Sequence, residues 1–387
     1  MSRDEIAEHA GYLRDSAKLH AYRSALAQLV RPGMSILDLG AGTGILGLLA
    51  AEAGARIVYA VDGGGIVGAV RSIADANGLE DRIVGIRGMS NRVVLPEQVD
   101  LVVCDQIGGL AYDAGVLEYF RDVRSRLLAP GGVLMPSSFQ LYAAPVTTDY
   151  WAKTVGVWSA RPGGFDLTPM AELAVNTEYR VELEPSSFLA EPAQFAKIES
   201  HSDEPISGVA ELRVERGGVL HGVAGMFVAQ LSPSVTLTNC PLWRCAFDRW
   251  QNFYPLRHPI TVSKGDLVVT EFAIRPRSYL ATWTVQVHAA DPAEGVLTRH
   301  RGSTALGAMV SSEDLDVTRG ASVPKSSIAV DADRYVFELV DGARSLAEIA
   351  ELVRARHPET FTSVADAKAR VTRLLSTYLH EQSPCAT

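Results

Sequence analysis

The chain has 387 residues, 47% of them hydrophobic and 21% charged, with a formal net charge of −9. That length supports two or three domains with cores of their own, and an acidic balance without a lysine or arginine block excludes a nucleic-acid-binding surface. No stretch reaches the roughly 18 apolar residues of a membrane span. The opening "MSRDEIAEHAGYLRD" also lacks the apolar core of a signal peptide, so a cytoplasmic protein is expected. Cys104, Cys240, Cys245 and Cys385 are scattered without C-x-x-C pairing, which predicts ordinary thiols and neither a disulfide framework nor a metal site.

Residues 1–34 form a helical segment that is amphipathic over "HAGYLRDSAKLHAYRSAL". The next stretch, "SILDLGAGTGILGLLAAEAGARIVYAVD", predicts a strand at 36–39, a turn with Gly40, Gly42 and Gly44, a helix from about Ile45, and a second strand ending on Asp62. Glycines admit positive φ and let a ligand approach the backbone, and the helix start offers free N–H groups. A dinucleotide fingerprint needs a third glycine where Ile45 stands, so NAD is disfavoured, while Asp62 is placed to accept ribose hydroxyls. A ligand with a ribose and no pyrophosphate fits best. "RIVGIRG", "VDLVVCD" and "GGVLMPSS" continue the strand and helix alternation, predicting a parallel α/β sheet over 35–136. From 137 to 320 short alternating stretches divided by Pro, Gly and Asp turns predict an antiparallel sandwich or barrel, and 318–327 is polar and loop-like. Residues 325–387 predict short strands, a turn at Asp341 and Gly342, and a helix capped by Ser345 with Leu346, Ile349, Ala350 and Val353 on one face. A second amphipathic helix follows.

The D-L-G-A-G-T-G array resembles the first motif of class I methyltransferases, which implies S-adenosylmethionine as cofactor, S-adenosylhomocysteine as product, and no metal. Over roughly residues 9–290 the order of domains and motifs resembles the protein arginine methyltransferases. The implied fold is a Rossmann-like α/β domain followed by a β-barrel, with residues 1–34 covering the cofactor. The expected cofactor-binding residues are His9, Lys18, Asp38, Gly40, Gly42, Gly44, Asp62, Ser90 and Asn91. Lys18 stands for an arginine that pairs with the methionine carboxylate; it keeps the charge but loses the bidentate fork.

In that family two glutamates on the loop after the fourth strand grip the substrate guanidinium. Here "CDQIGGLAYDAGV" places Asp105 and Asp113 there, each one methylene shorter, in a loop with one residue fewer. The Thr-His-Trp signature of the barrel is replaced by Asp248, Arg249 and Trp250. The resemblance implies that Arg249 pairs with Asp15 of the N-terminal helix, and both join Asp105 and Asp113 as catalytic candidates. Tyr12 and Trp250 are the expected substrate contacts. A homodimer is expected through an arm at 163–184, with an apolar stripe of Leu167, Met170, Leu173 and Val175.

The C-terminal stretch resembles PqqD-like winged-helix modules, which bind leader segments of ribosomally made peptides by adding a strand. The leading functional expectation is therefore an N-methyltransferase acting on an aliphatic amine of a modified precursor peptide carrying a leader, as in daptide-type clusters. The alternatives are a protein or peptide arginine N-methyltransferase, and a degenerate fold that only binds peptide.

Overall fold

The computed structural model describes residues 3–378 except 203, 245 and 309–327. Cys245, Cys385, the polar stretch 318–327 and the start of the expected C-terminal module lie outside the described residues. The chain divides into two compact units, Met1–Met309 and Val310–Thr387.

The expected N-terminal helical segment is two helices, α1 (Arg3–Arg14) and α2 (Ser16–Leu29). Asp15 breaks it: at ψ 87° it leaves the helix, and its carboxylate accepts the Lys18 N–H at 3.0 Å, an N-cap for α2. Tyr22, Ala25 and Leu26 form the buried stripe of α2, and the Tyr22 hydroxyl donates to the Cys104 carbonyl at 2.9 Å.

The α/β part comprises β1 (Ser35–Leu39), α3 (Ile45–Glu52), β2 (Ile57–Asp62), α4 (Val70–Asp75), β3 (Ile83–Arg87), β4 (Val99–Val103), α5 (Val116–Arg126) and β5 (Leu128–Met135). Its strands pair in parallel in the order β3-β2-β1-β4-β5. All five β1 residues are buried, as a strand covered on both faces requires. The order reverses between β1 and β4, which opens a crevice at the carboxyl ends of the strands. The register of Leu39 with Val61 and of Asp38 with Val103 brings the glycine turn, Asp62 and Asp105 to that one edge.

Two residues beyond β5 the barrel begins with β6 (Ser138–Val146). It continues through β7 (Tyr179–Val181), β8 (Ala193–Glu199), β9 (Ile206–Arg213), β10 (Gly218–Ser232), β11 (Val235–Thr238), β12 (Gln251–Val262), β13 (Leu267–Arg275), β14 (Leu280–His288) and β15 (Val296–Ser303). One sheet runs β7-β12-β10-β6-β8 with β11 on β10, the other β15-β14-β13-β9. Leu26, Leu101, Phe139, Phe227 and Trp283 belong to one continuous core, so the α/β part and the barrel fold around shared apolar surface. In the expected arm, Val175 is 1% exposed and packs inward, which removes it from the predicted surface stripe.

The C-terminal unit has helices at Ile328–Glu338, Leu346–Arg356 and Val364–Tyr378. The first replaces the expected strands, because Ala332, Val336 and Leu339 recur at helical spacing and are buried with Ile349, Ala350 and Val353. Ser345 and Glu348 close a capping box, and Gly342 takes φ +78° in the turn before it. Among the described residues no helix is long and apolar enough to cross a membrane.

Candidate cofactor and substrate site

Gly40, Gly42 and Gly44 all sit at positive φ (+73°, +53° and +80°), so the turn after β1 is a conformation that side chains disfavour. A Cβ on Gly40 would strike the Gln106 side chain and one on Gly42 the His9 ring, which folds over the turn from α1. A cavity of about 200 Å³ is bounded by His9, Tyr12, Lys18, Asp38, Asp105 and Arg249. A second, of about 160 Å³, is lined by Leu39, Gly63, Met89, Ser90 and Tyr119. Gly40, Asp62 and Gln106 border both. Asn91 is exposed and lines neither.

Asp62 ties two turns together, accepting the Gly42 N–H at 2.9 Å and the Gly64 N–H at 2.6 Å. Each carboxylate oxygen keeps a lone pair for a hydroxyl. Asp38 Oδ2 accepts the Gly47 N–H at 2.7 Å, and burial pushes its carboxyl up to about 7 against that bond. Two cavities meeting at a glycine turn, an acid at the end of β2 and a buried lysine at the other end fit a nucleoside joined to an amino acid.

Lys18 is 3% exposed and pairs with Asp105 Oδ2 at 2.8 Å. Burial would raise the Asp105 carboxyl, but Lys18 and Arg249 outweigh it and hold the group below its ordinary value. Asp105 is therefore an ionised acceptor. Burial and a hydrogen bond to Glu8 push Tyr12 up to about 12, so this ring stays neutral between His9 and Lys18. The expected pair of Asp15 with Arg249 is not formed. Asp15 spends its oxygens on the Lys18 and Asp248 amides, while the Arg249 guanidinium donates to the Asp105 carbonyl at 3.4 Å and lies 5.1 Å from the Trp250 ring. The helix and the barrel are still joined, through a backbone N–H in place of a side chain.

Asp113 does not line the cavity with Asp105. Its carboxylate caps its own loop, accepting the Gly109 N–H on both oxygens at 3.0 Å and the Leu110 N–H at 2.9 Å. Beside it lies Glu178, which sequence reasoning did not single out. It accepts the hydroxyls of Tyr112 and Tyr254 and is raised by burial, with the Asp113 charge adding to the effect. Gln106, Met89, Tyr119 and Glu178 carry no motif; only the position of Gln106 directly after a strand-end acid could have marked it.

A five-stranded parallel sheet with a nucleoside cradle at its reversal point, followed by an antiparallel barrel, defines a class I methyltransferase fold with a barrel domain. Residues 137–284 match the arginine methyltransferase oligomerization subdomain, and residues 23–139 match ribosomal protein L11 methyltransferase (PrmA). Probable protein arginine N-methyltransferase 6 of Arabidopsis thaliana is 33% identical over 169 residues, 43% of this chain and 39% of that protein. Protein arginine N-methyltransferase 6 of Xenopus tropicalis is 28% identical over 258 residues, 61% of this chain and 74% of its own length. The match thus spans less than half of the plant relatives.

Among solved structures, the Trypanosoma brucei PRMT1 enzyme-prozyme heterotetrameric complex with AdoHcy aligns with TM-score 0.67 at 21% identity, over 76% of this chain and 97% of the other. Arabidopsis thaliana protein arginine methyltransferase 10 aligns with TM-score 0.63 at 21% identity, over 76% and 96%. This chain has their fold. The relatives overturn the leading functional expectation: they carry the names of protein arginine N-methyltransferases, which favours the arginine alternative over a daptide-type peptide amine.

Proposed function

We propose that the protein is an S-adenosylmethionine-dependent N-methyltransferase that modifies the guanidinium of arginine in a protein or peptide. The observation that carries this reading is Asp105: an ionised carboxylate at the end of β4, set between the glycine cradle and the Arg249–Trp250 stretch of the barrel. The names of the similar proteins support the choice of arginine over an amine. His9, Asp62, Ser90 and the three glycines would hold the cofactor, with Lys18 facing its carboxylate. When bound there, S-adenosylmethionine supplies an electrophilic methyl group. Asp105 attracts the cationic guanidinium and orients one nitrogen; because its carboxyl is depressed, it serves as an electrostatic anchor and is a poor general base. Asp105→Asn and Asp113→Asn should each lower turnover by roughly 10²- to 10³-fold while changing cofactor affinity little.

The test is mass spectrometry of arginine-containing and lysine-containing peptides incubated with enzyme and S-adenosylmethionine. Methylarginine is expected; methylation of the amine peptide alone would refute the reading, and failure to bind the cofactor by calorimetry would leave a peptide-binding protein. A homodimer built on the barrel is part of the same proposal, supported by the oligomerization-subdomain match and by Phe165, 73% exposed in the expected arm. The C-terminal helices are proposed as a peptide-recognition module, although the strands by which a PqqD-like module would add a peptide are replaced by a helix among the described residues. Removing residues 325–387 should then weaken binding of a long substrate and spare a short one; equal losses on both would refute it.

A further inference from the structure

Asn252, at the start of β12, is 1% exposed, and neither its Oδ1 nor its Nδ2 has a hydrogen-bond partner. Its neighbour Asn239 is just as buried and fully used: Nδ2 donates to the Gly109 and Trp250 carbonyls at 2.8 Å, and Oδ1 accepts the Phe227 N–H at 2.9 Å. A buried amide without partners is costly, so Asn252 poses a specific question. Its Oδ1 lies against Gly109, where a Cβ would collide with it. The Gly109 and Leu110 amides are held by Asp113 instead. The loop that makes this possible is strained, because Ala111, fully buried, sits at φ +60°. Trp250 Nε1, also against Gly109, is unpartnered as well.

We infer that Asn252 is a positioning residue for the substrate acid: when Asp113 turns to a cationic substrate, Asn252 accepts the loop amides that Asp113 releases. This rests on the reading of the site as an arginine methyltransferase pocket. The exchange keeps the Gly109 and Leu110 donors satisfied and frees a carboxylate that is otherwise committed to its own backbone. A neutral amide suits the task, since a third carboxylate beside Asp113 and Glu178 would repel both. It also explains how two acids that do not share a cavity in the resting arrangement come to act on one guanidinium.

Asn252→Leu distinguishes this role from a structural one. It removes unpartnered polar atoms from the core, so the melting temperature should hold or rise. Meanwhile kcat/KM on an arginine peptide should fall about tenfold or more, with the affinity for S-adenosylmethionine unchanged. With a saturating arginine peptide present, hydrogen exchange at the Gly109 and Leu110 amides should be faster in the variant than in the wild type, because the amides that Asp113 releases then find no second acceptor. The inference is overturned if the variant keeps kcat/KM within about twofold, if activity falls only in step with melting temperature, or if exchange at the two amides is unchanged. Should the wild-type protein bind the arginine peptide but transfer no methyl group to it, the functional reading fails by itself, and the exchange measurement with the peptide bound still decides the role of Asn252.

Discussion

Replacing Lys18 with methionine removes the cation from a buried pair and leaves Asp105 with Arg249, and more weakly His9, as the neighbours that favour its charge. Breaking such a pair costs about 3–5 kcal/mol; Asp105 keeps 23% of its side chain accessible, which favours the lower end, about 3 kcal/mol. Unfolding entropy of roughly 2.1 cal/mol/K per residue gives about 0.65 kcal/mol/K for the unit Met1–Met309, hence a drop of about 5 °C in melting temperature at pH 7. The pH dependence follows from the depressed Asp105 carboxyl. A group lowered on folding stabilises above its unfolded value, about 3.9, and that contribution is lost as pH falls through the folded value. In the variant the unpaired carboxylate can take a proton, so the gap from wild type should narrow on acidification. Calorimetric melting of both proteins between about pH 7 and pH 3.5 measures it. Equal melting at neutral pH, or a gap that widens in acid, would refute the pairing as a source of stability.

Gly42→Val and Asp62→Ala should each abolish cofactor binding in calorimetry while the protein stays folded; the first fills the cradle, and the second also releases the Gly42 and Gly64 amides. Unchanged affinity in both would remove the cofactor assignment. Glu178 is raised by burial, so its favourable contribution lies below its unfolded value, about 4.3, and is lost as pH rises through the folded one. Glu178→Gln should therefore gain stability over wild type progressively as pH rises above the unfolded value and level off once pH passes the raised folded one, and a difference that stays constant with pH would contradict the shift. Light scattering at micromolar concentration should show a dimer, and a monomer would count against the arm.

The cofactor cradle was legible because its chemistry is local. Three glycines at fixed spacing after an apolar strand, and an acid at the end of the next, lie within 28 residues, and the parallel register brings them together. The barrel was legible as a texture of alternating strands, though the order of its strands was not. What sequence could not show is where each carboxylate spends its lone pairs. Asp15 was expected to hold Arg249 and holds two backbone amides; Asp113 was expected beside Asp105 and caps Gly109 and Leu110. Short acids compete for nearby N–H groups, and that competition depends on loop conformation. The C-terminal strands failed for another reason: "SSIAVDADRYVFEL" carries the β-branched Ile328, Val330 and Val336, which favour a strand, but Ala332, Val336 and Leu339 recur at helical spacing, and their packing with Ile349 and Val353 decided the outcome.

Only Pro136 and Ser137 separate β5 from β6, and both are clamped: the Ser137 N–H donates to the Gln230 carbonyl at 2.8 Å, and the Ser200 hydroxyl to the Pro136 carbonyl at 2.6 Å. A two-residue connector with its polar groups committed, passing through a common core, leaves no hinge between the cradle and the barrel. Access to the crevice then depends on α1, most of whose described residues are exposed, because the loop at 105–113 is itself tied through Asp105, Gly109 and Asp113. A substrate meets walls of fixed spacing and a movable roof, so tolerance for bulk beside the target residue is set by how far that roof lifts and is independent of any opening of the two domains.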